Sequence, residues 1–126
     1  MKLARIADMR FHAALDKLAA STLPIKVAFK LKGVIKTVRE EYQKYEEVRN
    51  NLLKKFGKKD EAGNLLLNDK QSVEFEPDSL QEFVKEMGEL ANLEVSIPTI
   101  SLSDLGNEIN LTFQDVEALE GLIVED

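Results

Sequence analysis

Nine positions of this 126-residue chain, 28, 31, 35, 38, 42, 45, 49, 52 and 56, are separated by alternating steps of three and four. They carry Ala28, Leu31, Ile35, Val38, Tyr42, Tyr45, Arg49, Leu52 and Phe56. All but Arg49 are apolar or aromatic, and a stripe at that interval is the seam of one helix against another. The spacing predicts one helix over 24–56. Pro24 suits its first turn with Thr22 as N-cap, and Gly57 suits the C′ position. Lys54, Lys55, Lys58 and Lys59 complement the negative end of the helix dipole. Such a helix is about 50 Å long, whereas a compact domain of this size has a radius of gyration of about 14 Å. The seam is therefore expected to protrude in part or to be covered by a second copy. Ile25, Val27, Phe29 and Val34 lie off the seam, which predicts that the first turns are packed within the domain. The stretch 39–56 has a narrow stripe and charged flanks and reads as the exposed arm.

Around this helix the remaining patterns are shorter. Ala7, Phe11, Ala14, Leu15 and Leu18 predict a first helix over 6–20, broken by the Ser21–Pro24 stretch. Leu65–Leu67 and Ser72–Phe75 predict a short hairpin across Asn68–Gln71. A third helix follows Pro77, capped by Asp78 or Ser79, with Leu80, Phe83, Val84, Met87, Leu90 and Ala91 on its apolar face. Leu93–Ile97 alternates like a half-buried strand ended by Pro98, and Ile100 and Leu102 prolong an extended segment. Thr112 and Asp115 approximate a capping box and open a short helix ending near Gly121. The apolar tail Leu122–Val124 is expected to join a small sheet. No internal repeat stands out. The fold class expected is α+β and mostly helical: a helical hairpin with one long helix, plus a small C-terminal lobe of a helix and short strands. It reads as a single domain over 1–126, divided into a basic helical hairpin (1–57) and an acidic α+β lobe (58–126).

The chain has no Cys and one His, which removes disulfides, thiolate metal sites, cysteine nucleophiles and sites built from two histidines. Asp8, His12 and Asp16 share a helix face but span about 12 Å, too far to hold one ion, and read as a solvated face. Asp60–Gln71 departs from a calcium loop at Ala62 and Gln71. No phosphate-binding glycine motif and no credible nucleophile–base pair occurs. No catalytic, cofactor-binding or metal-binding residue is assigned, and the chain is not expected to be an enzyme. No run of 18 apolar residues suggests a membrane span, and the charged start lacks a signal-peptide core.

Charge is segregated. Residues 1–60 carry 15 basic and 7 acidic side chains, net +8, and residues 61–126 carry 2 basic and 16 acidic, net −14. Such asymmetry predicts halves that attract within one molecule, or that pair head-to-tail between copies. Lys26, Lys30, Lys32, Lys36 and Arg39 form a basic cluster, but the acidic second half and the lack of evident stacking aromatics argue against nucleic acid as partner. Glu82, Glu86 and Glu89 share a face of the third helix, which can solubilise the chain or steer it to a basic protein surface.

The MKLA start, KLAASTLPIKVAFKL, KKFGKKDEAGN, and SIPTISLSDLGN followed by LTFQDVEALEGLIVED together resemble an uncharacterised family of small proteins of tailed bacteriophages of Gram-positive hosts. The resemblance covers nearly the whole chain. It departs at RIADMRFH, which is more basic and holds the only His. It implies a phage origin, no assigned activity, and residence in the infected cell's cytoplasm or the virion. Together with the seam, it leads to the expectation of a non-enzymatic protein acting in particle assembly or as an accessory factor. The expected partner is protein, including a homo-oligomer formed through Leu31, Ile35, Val38, Tyr42, Tyr45, Leu52 and Phe56. The alternative is an early anti-host inhibitor whose acidic lobe, through Glu82, Glu86 and Glu89, occupies a nucleic-acid or basic site on a host protein.

Overall fold

A computed structural model describes residues 1–106 and 108–125. Helices α1 (Leu3–Ala7), α2 (Met9–Ala19), α3 (Ile25–Phe56) and α4 (Pro77–Ala91) are followed by strand β1 (Ile100–Ser101), a 3-10 turn (Leu102–Leu105), helix α5 (Phe113–Ala118) and strand β2 (Ile123–Val124). The fold is α+β and mostly helical. The long helix is unbroken, and its bounds fall within a residue of those read from the stripe. Pro24 itself is the N-cap residue, with no side-chain cap bond, so Thr22 does not play that part.

The expected first helix is two helices. Asp8 ends α1 in an extended conformation and caps α2, its carboxylate accepting from the Arg10 amide at 2.9 Å. An Asp that can bond the backbone locally favours a cap over a helix interior. The Arg10 guanidinium closes on the same carboxylate at 2.8 Å, and these donors hold the Asp8 carboxyl below its ordinary value.

One core gathers Leu3, Ile6, Phe11, Ala14, Leu15, Leu18, Val27, Leu31, Val34 and Val38 with Ile100, Leu105, Leu119 and Leu122. It thus draws on both the basic and the acidic half, and no polar side chain among the described residues is buried in it. The C-terminal segment reaches this core through two short pairings. Residues 1–3 run antiparallel to 93–95, with Leu3 N–H donating to Leu93 C=O and Val95 N–H donating to Met1 C=O, both at 2.8 Å. Strand β1 pairs in parallel with β2, Ile100 opposite Ile123. The capping box at Thr112 forms as expected, with both reciprocal bonds present.

Between α3 and α4 the chain builds a closed cap whose backbone repeats every eight residues, a repeat not visible in the sequence. Lys58 N–H donates to Glu74 C=O, Glu74 N–H to Leu66 C=O, and Leu66 N–H to Lys58 C=O, at 2.8, 3.0 and 2.8 Å. Three extended segments centred on 58, 66 and 74 therefore form a triangle. The two corners between them match: Asp60 Oδ1 accepts from the amides of residues 62 and 64, and Asn68 Oδ1 from those of 70 and 72. Gly63 and Gln71, eight apart, both take positive φ. At the third corner Glu76 begins α4 instead.

Gly57 ends α3 as its C-cap, one position before the expected C′, and its φ of −69° is ordinary. Its reason is space. Gly57, Leu65 and Val73 are equivalent in the triangle, and a Cβ on Gly57 would lie 2.7 Å from Val73 and 2.8 Å from Leu65. The axis holds two side chains and has no room for a third. Gly33 and Gly88 are the opposite case: each lies within a helix, and a Cβ there would meet nothing within 4 Å. Helix propensity alone then predicts that Gly33→Ala and Gly88→Ala each raise the unfolding free energy by about 0.5–1 kcal/mol in urea titrations.

Candidate interaction surface

Helix α4 packs against α3. Seam positions Leu31 and Val38 are buried in the core, while Ile35, Tyr42, Tyr45, Arg49, Leu52 and Phe56 are half-buried. The seam is thus hidden in part by this molecule's own α4 and core, where a protruding or second-copy-covered edge was expected. Tyr42 stands at 4.9 Å from the His12 ring and 6.2 Å from Tyr45. The Glu46 carboxylate beside its phenol pushes Tyr42 above its ordinary value. Phe75 and Phe83 meet at 4.8 Å where the cap joins α4. Arg49, the polar defect in the stripe, leaves its Nε buried with no hydrogen-bond partner. His12 is half-buried, its Nε2 donating to the Ile6 carbonyl, and no group of three metal-ligating side chains occurs among the described residues.

Off the seam, the expectation that the first turns of α3 pack inward holds for only half of the residues named. Val27 and Val34 are buried, whereas Ile25 is 82% and Phe29 80% exposed. A helix covered on one side can bury only a limited arc, and Ile25 and Phe29 fall on the far side of it. Beside them runs a groove of about 970 Å³, walled by Leu23, Ala28, Phe29, Leu31 and Ile35 and edged by Lys32, Lys36 and Arg39. Glu40 is its one carboxylate. Neither these three cations nor Lys26 and Lys30 form an ion pair among the described residues.

The acidic half spends some of its charge inside the molecule. Arg5–Glu120, Lys17–Asp115, Lys58–Glu76 and the Met1 ammonium–Glu94 pair join the two halves at 3.7, 3.0, 3.6 and 3.4 Å. Glu82 and Glu89 remain exposed on α4 and unpaired among the described residues, while Glu86 is half-buried. On α5 the exposed apolar side chains are Phe113, at 78%, and Val116, with Glu117 beside them. Neither Phe29 nor Phe113 stood out in the sequence as surface, because apolar residues in amphipathic helices are assigned inward by default.

The Thr112 amide and then the Lys17 ammonium hold the Asp115 carboxyl below its ordinary value of 3.8. A lowered native value means the unfolded chain binds protons first. The stability from Asp115 is complete above its ordinary value and is lost as pH falls toward and through the lowered one. Thermal midpoints should therefore fall on acidification below about pH 4, and Asp115→Asn should flatten that fall while lowering the midpoint at neutral pH.

No family model matches the chain, and no curated protein or solved structure shows a significant match. No helix among the described residues is long and apolar enough to cross a membrane.

Proposed function

We propose that this chain is a non-enzymatic protein that acts through contacts with other proteins, itself included, in the assembly of a phage particle or as an accessory factor there. The observation that carries the contact role is the exposed apolar edge of α3 at Ile25 and Phe29, set beside a groove with cations on its rim that form no ion pair among the described residues. A lone surface Leu or Val is ordinary, but a contiguous apolar edge with a charged rim is how docking surfaces are built. The phage setting rests on the sequence resemblance. With the seam half-covered by α4, self-association uses the outer face of α3, and not the full stripe. Sedimentation equilibrium across the micromolar range tests this: the mean mass should rise above the monomer with concentration. A monomer at every concentration overturns self-association.

A second reading is an anti-host inhibitor acting through α4, favoured by the unpaired, exposed Glu82 and Glu89. In that case Glu82→Lys with Glu89→Lys abolishes binding to a host protein that the wild type captures.

A further inference from the structure

Two of the six phenylalanines stand almost fully in water, Phe29 at 80% and Phe113 at 78%. The other four are buried or half-buried. The charges sharing each ring's own helix face are of one sign, although beside α5 the Arg5 guanidinium donates to the Glu117 carbonyl at 3.1 Å and Lys17 pairs with Asp115 at 3.0 Å. Ile25, Phe29, Lys32 and Lys36 fall at i, i+4, i+7 and i+11 and share one face of α3. Phe113, Val116, Glu117 and Glu120 fall at i, i+3, i+4 and i+7 and share one face of α5 and the turn after it. One face is two bulky apolar side chains with two cations. The other is two bulky apolar side chains with two carboxylates. Lys32, Lys36 and Glu117 form no ion pair among the described residues, and Glu120 has only the 3.7 Å approach of Arg5 while 77% exposed.

We infer that the Ile25–Lys36 face of one copy receives the Phe113–Glu120 face of a second copy, with Lys32 and Lys36 set against Glu117 and Glu120. This rests on the self-association reading above and adds which surfaces meet. Like-with-like contact is disfavoured by charge. Two α3 faces would oppose lysines to lysines, and two α5 faces would oppose carboxylates to carboxylates, whereas the unlike pair neutralises both. Each copy has one face of each kind, so each copy can offer one face and receive the other. A phenylalanine buries about 150–250 Å², so two of them with Ile25 and Val116 make a patch at the small end of specific interfaces. The contact is accordingly weak as a single junction, and added salt weakens it further.

The test is sedimentation of the wild type, Phe29→Gln, Phe113→Gln and their equimolar mixture. Both side chains already face solvent, so circular dichroism of each variant should match the wild type. The wild type should associate and each variant alone should remain monomeric, because each lacks one half of every junction. The mixture should recover a dimer and nothing larger, since it retains one intact face of each kind. A wild type that associates with both variants unchanged overturns this pairing and leaves self-association standing. Association lost in one variant and kept in the other indicates like-with-like contact and overturns it, as does loss in both variants with no recovery in the mixture. A wild type monomeric throughout overturns both this pairing and the self-association reading on which it rests.

Discussion

Replacing Phe11 by alanine should lower the unfolding free energy by about 3–5 kcal/mol, the range found when a large aromatic leaves a packed core. Phe11 is 1% exposed and sits where α2 meets the common core, its ring centroid 5.8 Å from that of His12 in an edge-to-face arrangement. Nothing nearby is free to collapse into the space, because the neighbours Leu15 and Leu18 of the same helix are themselves buried on other contacts. Domains of this kind have only about 5–15 kcal/mol in total, so the variant loses about a fifth of its stability or more. The thermal midpoint should drop by on the order of 10–20 °C. Phe29→Ala is the matched control. The same side chain is removed from a site 80% exposed, and the change in unfolding free energy should stay within about 0.5 kcal/mol. Equal losses at the two positions would mean that α3 has its outer face covered in the native monomer.

Gly57→Ala should cost about 1–3 kcal/mol, the usual penalty for overpacking a filled site. The added methyl would lie 2.6 Å from the Leu53 carbonyl oxygen as well as against Leu65 and Val73. Side chains can turn away, but the carbonyl belongs to the last turn of α3 and accepts the Gly57 amide at 2.8 Å. Relief therefore has to come from displacing the helix end or opening the triangle. Hydrogen exchange distinguishes the two. Opening raises the exchange of the Lys58, Leu66 and Glu74 amides together, since each donates to the next segment of the ring. Leu65→Ala in the same chain should recover part of the loss, a non-additivity expected where two groups compete for one space.

Legibility in the sequence followed the strength of each local signal. The long helix was readable almost to the residue because its stripe runs for eight turns with Arg49 as its one polar defect, and Pro24 and Gly57 punctuate it. The α5 capping box and the joining of the C-terminal tail to a small sheet were readable from short, specific patterns. The break at Asp8 was not, since the apolar spacing of Phe11, Ala14, Leu15 and Leu18 continues smoothly from Ala7 and outweighs one cap-forming residue. The eight-residue cap left little trace, because its repeat lies in backbone bonds. Asp60 and Asn68 are chemically similar, but Gly63 and Gln71 adopt the same left-handed conformation with unlike side chains. The candidate surface was misassigned for a different reason. Periodicity says which apolar residues share a face, and not which of two apolar faces the rest of the chain has material to cover.

The unbroken course of α3 has a mechanical consequence. Its 32 residues put about 48 Å between Ile25 and Phe56, with a hydrogen-bonded triangle at the far end in place of a slack loop. Bodies engaged at opposite extremities would be held apart at a set distance, neither blocking the other's access. Removing four residues from the rod would bring them about 6 Å closer and turn one by about 40° relative to the other.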